Sequence, residues 1–273
     1  MRTTTRHTLN TASRRLGATA LSGALLLLAA CRPAVGASEA LNPAMGAAPT
    51  ADAILAAPAR TDDAGRVQML RAANRLPKVA FPRLREDCLT QGEDFGAWTV
   101  RFDGYGCVTV TGKGDQGALA MGPKAAAKDW HTHAPLVLGP AYGDHLFMHA
   151  RVETTAQLRD GAPNPWEVAW VIWQYEDDTR FYYFIPKPNG WELGKRDPAY
   201  PGGQRFLASG TRETFPIGKV YDVTIVQDDD RFAVFVDGRE LVRTRDMEKP
   251  YRQGRIGIYA EDAAIKVHTV RAL

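Results

Sequence analysis

Phe232-Ala-Val-Phe-Val236, then Asp237-Gly238, then Glu240-Leu-Val-Arg-Thr-Arg245 is the stretch on which the fold turns. Two runs rich in β-branched and aromatic residues flank a dipeptide that tolerates the positive φ angles of a two-residue hairpin loop. The same grammar extends outward. From Pro82 to the end of the chain, runs rich in Val, Ile, Thr and aromatics are closed by Gly, Pro, Asn or Asp at intervals of roughly ten residues. Strands are expected at 97–102, 105–111, 117–121, 134–138, 144–153, 166–176, 179–186, 190–195, 203–209, 219–227, 231–237, 240–245, 254–260 and 264–271. Asp103-Gly104, Asp177-Asp178 and Asn189-Gly190 supply further turns. No helical stretch of ordinary length competes, so the prediction is an all-β domain, a two-sheet antiparallel jelly-roll sandwich.

Upstream of that domain the chain changes character. Residues 1–30 read as a signal peptide: a basic segment ending Ser13-Arg14-Arg15-Leu16, then an apolar run from Ala18 to Ala30. That run is shorter than the about 20 residues that a membrane-spanning helix needs. Leu28-Ala29-Ala30-Cys31 resembles the bacterial lipobox, which implies lipidation of Cys31; a plain secretory signal cleaved nearby is the alternative. Either way the protein is expected outside the cytoplasm, at the periplasmic or extracellular face, touching membrane only through a lipid anchor. Residues 31–60, rich in Ala and Pro, read as a flexible tether. Residues 61–78 read as a short helix and connector, with Val67, Leu70 and either Ala73 or Asn74 on one face and its end before Pro77. Residues 79–273 form the sandwich.

Charge and motifs exclude several function classes. Lys and Arg number 34 against 31 Asp and Glu, but Arg2, Arg6, Arg14 and Arg15 belong to the leader, which holds no acid. The remainder has no basic excess with which to bind nucleic acid. No phosphate-binding glycine loop, zinc-protease helix or nucleophile elbow occurs. Of the three cysteines, lipidation would consume Cys31 and leave Cys88 and Cys107, an even pair in an oxidising compartment, so a disulfide is expected between them.

Phe215-Pro-Ile-Gly-Lys219, Tyr221-Asp-Val-Thr-Ile-Val226, Ala233-Val-Phe-Val-Asp-Gly238, Gly254-Arg-Ile-Gly-Ile-Tyr259 and a closing strand to Val270 follow one another in order. This succession resembles the back half of concanavalin A-like sandwiches, the superfamily of lectins, laminin-G-like modules, glucanases and keto-glycoside hydrolases. The resemblance spans roughly 95–273. It implies the sandwich, and glycan recognition or cleavage as the function to test first, since fold alone does not fix function.

Aromatics point to where a ligand would sit. Trp166, Trp170, Trp173, Tyr175, Phe181, Tyr182, Tyr183, Phe184 and Trp191 crowd two neighbouring strands and the start of a third. With Asp177-Asp178 as a two-residue turn, Trp173 faces Tyr182, Tyr175 faces Arg180 and Val171 faces Phe184. One face then mixes Glu167, Trp173, Tyr175, Arg180 and Tyr182, while the other, with Trp170, Ile172, Tyr183 and Ile185, is almost wholly apolar. Alternation assigns the apolar face to the core and the mixed face to a carbohydrate, whose C–H faces stack on rings while its hydroxyls meet polar groups; an aromatic-rich core with an amphipathic rim is the alternative. A four-residue loop Lys187-Pro188-Asn189-Gly190 adds Trp191 and Lys195 to the mixed face; a five-residue loop adds Glu192 instead.

Glu167 and Glu192 are the candidate carboxylate pair for a glycoside hydrolase or lyase, which needs two such groups about 5 to 9.5 Å apart. The Glu-x-Asp-x-Glu run of laminarinase-type relatives is absent. His131 and His133, roughly 6.6 Å apart in an extended segment, could hydrogen-bond a ligand, share a metal or be plain loop residues. No cofactor is required, and Asp228-Asp229-Asp230 and Glu261-Asp262 are the places for a structural calcium or for solvated turns. A non-catalytic cell-envelope protein using the sandwich for protein contacts is the remaining alternative.

Overall fold

The computed structural model describes residues 48–60, 62–82, 87–112, 117–128 and 130–273. The signal peptide, Cys31 and most of the expected tether lie outside the described residues.

Fifteen strands form two antiparallel sheets. In chain order they are β1 (Asp94–Phe95), β2 (Trp98–Asp103), β3 (Cys107–Thr111), β4 (Ala118–Gly122), β5 (Pro135–Tyr142), β6 (His145–Gln157), β7 (Ala169–Asp177) and β8 (Arg180–Lys187). There follow β9 (Gly190–Arg196), β10 (Gln204–Gly210), β11 (Val220–Asp228), β12 (Arg231–Val236), β13 (Arg239–Arg245), β14 (Gly254–Ala260) and β15 (Ala263–Ala272). One sheet runs β1-β2-β5-β14-β7-β8-β9-β10, the other β13-β12-β11-β6-β15-β4-β3. The two-sheet antiparallel β-sandwich is therefore as the turn grammar predicts, and each expected strand is present. Only the two-residue β1 escaped the pattern, being too short to alternate.

The deciding hairpin is built as its sequence dictates. Val236 pairs with Arg239, and Asp237 and Gly238 both take positive φ, 51° and 78°. Glycine is demanded twice over at 238, because a β-carbon there would lie 2.5 Å from the Arg66 carbonyl oxygen. That contact comes from a helix packed on the hairpin.

Two helices cover the outer face of the seven-stranded sheet. α1 (Ala51–Ala56) lies inside the segment expected to be a featureless tether, so that expectation fails for its last part. Ile54 and Leu55 bury against Phe147, Val226, Ala233 and Phe235, which form an apolar patch on the outward side of β6, β11 and β12. α2 (Asp63–Arg75) begins where cap-type residues predict it, with the Asp62 carboxylate accepting from the Gly65 amide at 2.9 Å. Its buried face is Met69, Ala72 and Ala73, continued by Leu76, whereas Val67 is 44% exposed. Ala73 is buried, in line with one of the two expected choices, whereas Val67 faces solvent because Met69 and the small alanines carry the contact.

The main core lies between the sheets. Trp98, Val171, Trp173, Phe184, Leu193 and Ile258 from one sheet meet Leu119, Met148, Val152, Ile225, Phe232 and Val267 from the other. The Cys88–Cys107 disulfide is present and joins the chain before β1 to the start of β3.

Candidate functional site

Register decides which side chains share a face. Across β7 and β8, Val171 pairs with Phe184, Ile172 with Tyr183 and Trp173 with Tyr182. Across β8 and β9, Pro186 pairs with Trp191, Ile185 with Glu192, Tyr183 with Gly194 and Tyr182 with Lys195. These are the pairings of the four-residue-loop alternative. The Trp173–Tyr182 pairing holds for a different reason from the one expected. The hairpin loop is Asp178-Thr179, with Asp177 opposite Arg180, and a bulge around Gln174, at φ 49°, restores the register further in. The bulge also turns Tyr175 away from Arg180 and onto the other face, where its ring stacks on Phe181 at 5.8 Å.

The faces are the reverse of the expected assignment. Trp173, Tyr182, Trp191 and Lys195, expected to meet a ligand, point between the sheets, and all but Trp191 are fully buried. Alternation could not reveal this, because the polar atoms on these side chains find partners inside. The Trp173 indole donates to Gln227 Oε1 at 3.0 Å, and the Tyr182 hydroxyl donates to Asp246 Oδ2 at 2.7 Å. Lys195 Nζ reaches the same carboxylate at 2.8 Å and the Glu248 carbonyl at 2.6 Å. A buried polar group costs little once it is paired.

The outer face of the same sheet is the open one. Ile172, Tyr183, Ile185, Leu136 and Leu138 form a floor, and two adjoining clefts lie over it. One, about 470 Å³, is lined by Trp166, Trp170, Glu192, Arg196, Gln204, Phe206 and Glu261. The other, about 290 Å³, is lined by Phe102, Leu136, Trp170, Ile172, Asp178, Phe181, Arg196, Tyr259 and Glu261. Trp170, Arg196 and Glu261 belong to both, so the clefts make one groove crossing β14, β7, β8, β9 and β10. Gly194 lets the Tyr183 ring lie across β9, since a β-carbon there would stand 2.3 Å from the tyrosine oxygen.

Rings and charges alternate along this groove. Trp166 and Phe206 are 41% and 57% exposed, large apolar surfaces available to a ligand. Trp170 is fixed by its indole N–H, which donates to the Trp166 carbonyl at 2.8 Å, and by an edge-to-face contact with Tyr259 at 5.0 Å. Burial pushes the Glu261 carboxyl above the ordinary range, and the charges of Asp262 and Glu167 add to that effect, while a hydrogen bond donated by the Tyr259 hydroxyl at 3.0 Å opposes it. Glu192 forms an ion pair with Lys187 at the groove's edge.

Glu167 is not in the groove but behind it. It is fully buried, accepts from Arg159 Nε at 2.5 Å and Asn164 Nδ2 at 2.7 Å, and the same guanidinium holds Asp262 at 2.6 Å. This cluster anchors the Glu261-Asp262 turn, so Glu167 positions the groove's acid and has no open path to a ligand. The expected Glu167–Glu192 pair is thus not a catalytic pair; the two carboxyls that line one cleft are Glu192 and Glu261.

The other expected ligand residues are scattered. Arg180 is ion-paired with Asp177 on an exposed turn, and Asn189 sits exposed in the β8–β9 loop. His131 and His133 occupy a loop, their rings 6.2 Å apart, with His133 Nδ1 against the Lys124 carbonyl at 2.8 Å; neither lines the groove. Among the described residues, no three His, Cys, Asp or Glu side chains are grouped to hold a metal ion. Asp228, Asp229 and Asp230, one expected calcium turn, are each engaged by an arginine, Arg231, Arg252 and Arg245 respectively.

Sequence reasoning missed Trp166, Trp170, Arg196, Gln204, Phe206, Tyr259 and Glu261. A signal existed for some of them. Counting by twos from Glu192 reaches Gly194 and Arg196, and the same parity carries Tyr183 and Ile185, so one correct choice of face would have found them together.

No family model matches the chain, and no curated protein matches it. Among solved structures, the carbohydrate-binding module CBM66 from Bacillus subtilis is similar at 14% identity over 64% of this chain and 94% of that one, with a TM-score of 0.47. A glycoside hydrolase family 16 endo-glucanase from Bacteroides ovatus is similar at 8% identity over 61% of this chain and 85% of that one, TM-score 0.43. The exoplasmic/lumenal domain of VIP36, in a Ca2+/Man-bound form, is similar at 12% identity over 70% and 91%, TM-score 0.44. These are likenesses of fold, and the ligands in those names belong to those proteins.

Proposed function

We propose that this chain recognises a carbohydrate in the groove on the outer face of the eight-stranded sheet. The observation that carries the reading is a single cleft in which two exposed rings, Trp166 and Phe206, flank Glu192, Arg196, Gln204 and Glu261. A pyranose presents apolar C–H faces and a rim of hydroxyls, and rings interleaved with donors and acceptors satisfy both. A polysaccharide and glycoside panel, scored for binding and for product release, tests it. Binding should be lost in Trp166→Ala and Phe206→Ala with little change in melting temperature. A panel without a ligand, or variants that bind like the parent, would overturn the reading.

A cleaving activity in the same groove is the second reading, favoured by the raised pKa of Glu261. A carboxyl that burial makes harder to ionise than an exposed one holds its proton to higher pH, which suits a general acid. Glu261→Gln should then abolish product release and keep the ligand bound.

The domain is further proposed to work outside the cytoplasm, tethered through a lipid on Cys31. The Cys88–Cys107 bridge supports export, because such bonds persist in oxidising compartments. Labelling with a fatty-acid analogue should disappear in Cys31→Ala.

A further inference from the structure

A second cleft, of about 810 Å³, opens on the outer face of the seven-stranded sheet, remote in chemistry from the aromatic groove. Its lining includes Lys78, Arg151, Lys266, His268 and Arg271, and no carboxylate. A bulge in β15 produces this concentration. Val267 pairs with Val152 and Thr269 with Arg151, so one extra residue is accommodated between them. Val267 and Val270 stay in the core while Lys266, His268, Thr269 and Arg271 all line the cleft. Outside the leader the chain carries no basic excess, so this patch is a local arrangement and not a reflection of composition.

The neighbouring acids offset it only in part. Glu153 engages His268 at 2.9 Å, and Asp222 lies 3.3 Å from Arg151 while also holding His149 at 2.9 Å. Arg271 is held rigidly, one arm donating to the Leu76 carbonyl at the end of α2 at 2.9 Å. Its Nε is buried and without a hydrogen-bond partner among the described residues. A buried donor left unsatisfied is costly, so the Arg271 side chain carries hydrogen-bonding capacity that its protein neighbours do not use. Two guanidiniums, two ammoniums and an imidazole around one cavity match a multiply charged tetrahedral oxyanion, which accepts forked N–H pairs.

We propose that this cleft binds a phosphate or sulfate group, with Arg151, Lys266 and Arg271 as its cationic ligands and His268 and Thr269 as further donors. The oxyanion has two sources, the headgroup of an anionic lipid or a soluble phosphorylated or sulfated molecule. The proposal is independent of the carbohydrate reading, since it uses the opposite sheet.

The test is a titration of the full chain with inorganic phosphate and with inorganic sulfate, followed by backbone amide resonances. Shifts should centre on residues 266–271. Lys266→Glu, which reverses one charge at a half-buried surface position, should weaken binding about tenfold or more, and Arg151→Gln should weaken it as well. Lys219→Glu, exposed and outside the cleft, should leave it unchanged. Flotation with vesicles containing phosphatidylglycerol, against phosphatidylcholine alone, separates the sources: lipid binding lost in Lys266→Glu assigns a headgroup, and phosphate binding without flotation assigns a soluble ligand. Absence of shifts at 266–271, or equal binding by parent and both folded cleft variants, overturns the proposal.

Discussion

Lys195 and Trp170 stand on opposite faces of one sheet, and the charged side chain is the more deeply buried, fully enclosed against 8% exposed. The inner face closes over its polar groups because Asp246, Gln227 and the Glu248 carbonyl arrive from the other sheet and its loops to receive them. The outer face is richer in hydrocarbon, yet only its own larger rings lie over the floor. Satisfaction of polar atoms and the presence of a covering element decide what is interior; mean polarity of a face does not.

That contrast breaks most visibly if the inner face tolerates damage. Asp246→Ala removes the acceptor that Tyr182, Lys195 and Arg205 share inside the fold and leaves Lys195 only the more distant Asp197 carboxylate at 3.5 Å, which should cost about 3–5 kcal/mol by chemical denaturation. Trp173→Ala opens a cavity between the sheets and should cost about 3–5 kcal/mol as well. Should either variant unfold at the parent's denaturant midpoint, the inner face is not the load-carrying interior. Trp170→Ala on the outer face should instead show its main loss, about 2 kcal/mol, in ligand affinity, with a smaller stability cost than Trp173→Ala.

Glu261→Gln sharpens the comparison through pH. The folded state raises this carboxyl's pKa, so its contribution to stability is fully present below the unfolded value, 4.5, and fades as pH rises through the raised folded value. The amide variant lacks that penalty, so its stability relative to the parent should climb with pH across this window. Asp222 works in the opposite sense. Burial opposes its ionisation, but the hydrogen bond from His149 and the charges of His149, Arg151 and His268 outweigh this and depress its pKa. Its contribution is present above the unfolded value and is lost as pH falls through the depressed one. Melting curves from strongly acidic to neutral pH separate the two, the Asp222 effect appearing below 3.8 and the Glu261 effect above 4.5. The smallest effect belongs to Arg180→Ala, which removes a solvent-exposed ion pair and should leave the denaturant midpoint nearly where it was.

Strand positions, turns, the sandwich and the Cys88–Cys107 bridge were legible because each rests on local sequence grammar or on cysteine parity. Pairing was legible only in part: Trp173 faces Tyr182 because a bulge near Gln174 compensates a turn one residue later than expected, and between β8 and β9 the sequence left two registers open. The choice of face was not. It depends on Asp246 and Gln227, residues 64 and 54 positions from the tyrosine and tryptophan they receive, and no local pattern announces such partners. Glu192 lines the groove because the four-residue-loop register, one of the two left open, puts it on the outer face, and that face is the open one. Glu261 was seen only as part of an acidic turn, because its chemistry comes from burial beside Tyr259 and not from its neighbours in sequence.

The helix pair on the outer side of β6, β11 and β12 sets the true edge of the autonomous folding unit. A fragment starting at Val79 would keep every strand, yet it would bare Phe147, Val226, Ala233 and Phe235 as one sticky plateau, and Gly238 would lose the Arg66 backbone that roofs it. Such a truncation should therefore self-associate as its concentration rises, whereas a protease trimming the chain ahead of Ala48 would leave a monodisperse particle. Limited digestion followed by sedimentation would locate that boundary directly, and with it the shortest length of polypeptide that can travel alone.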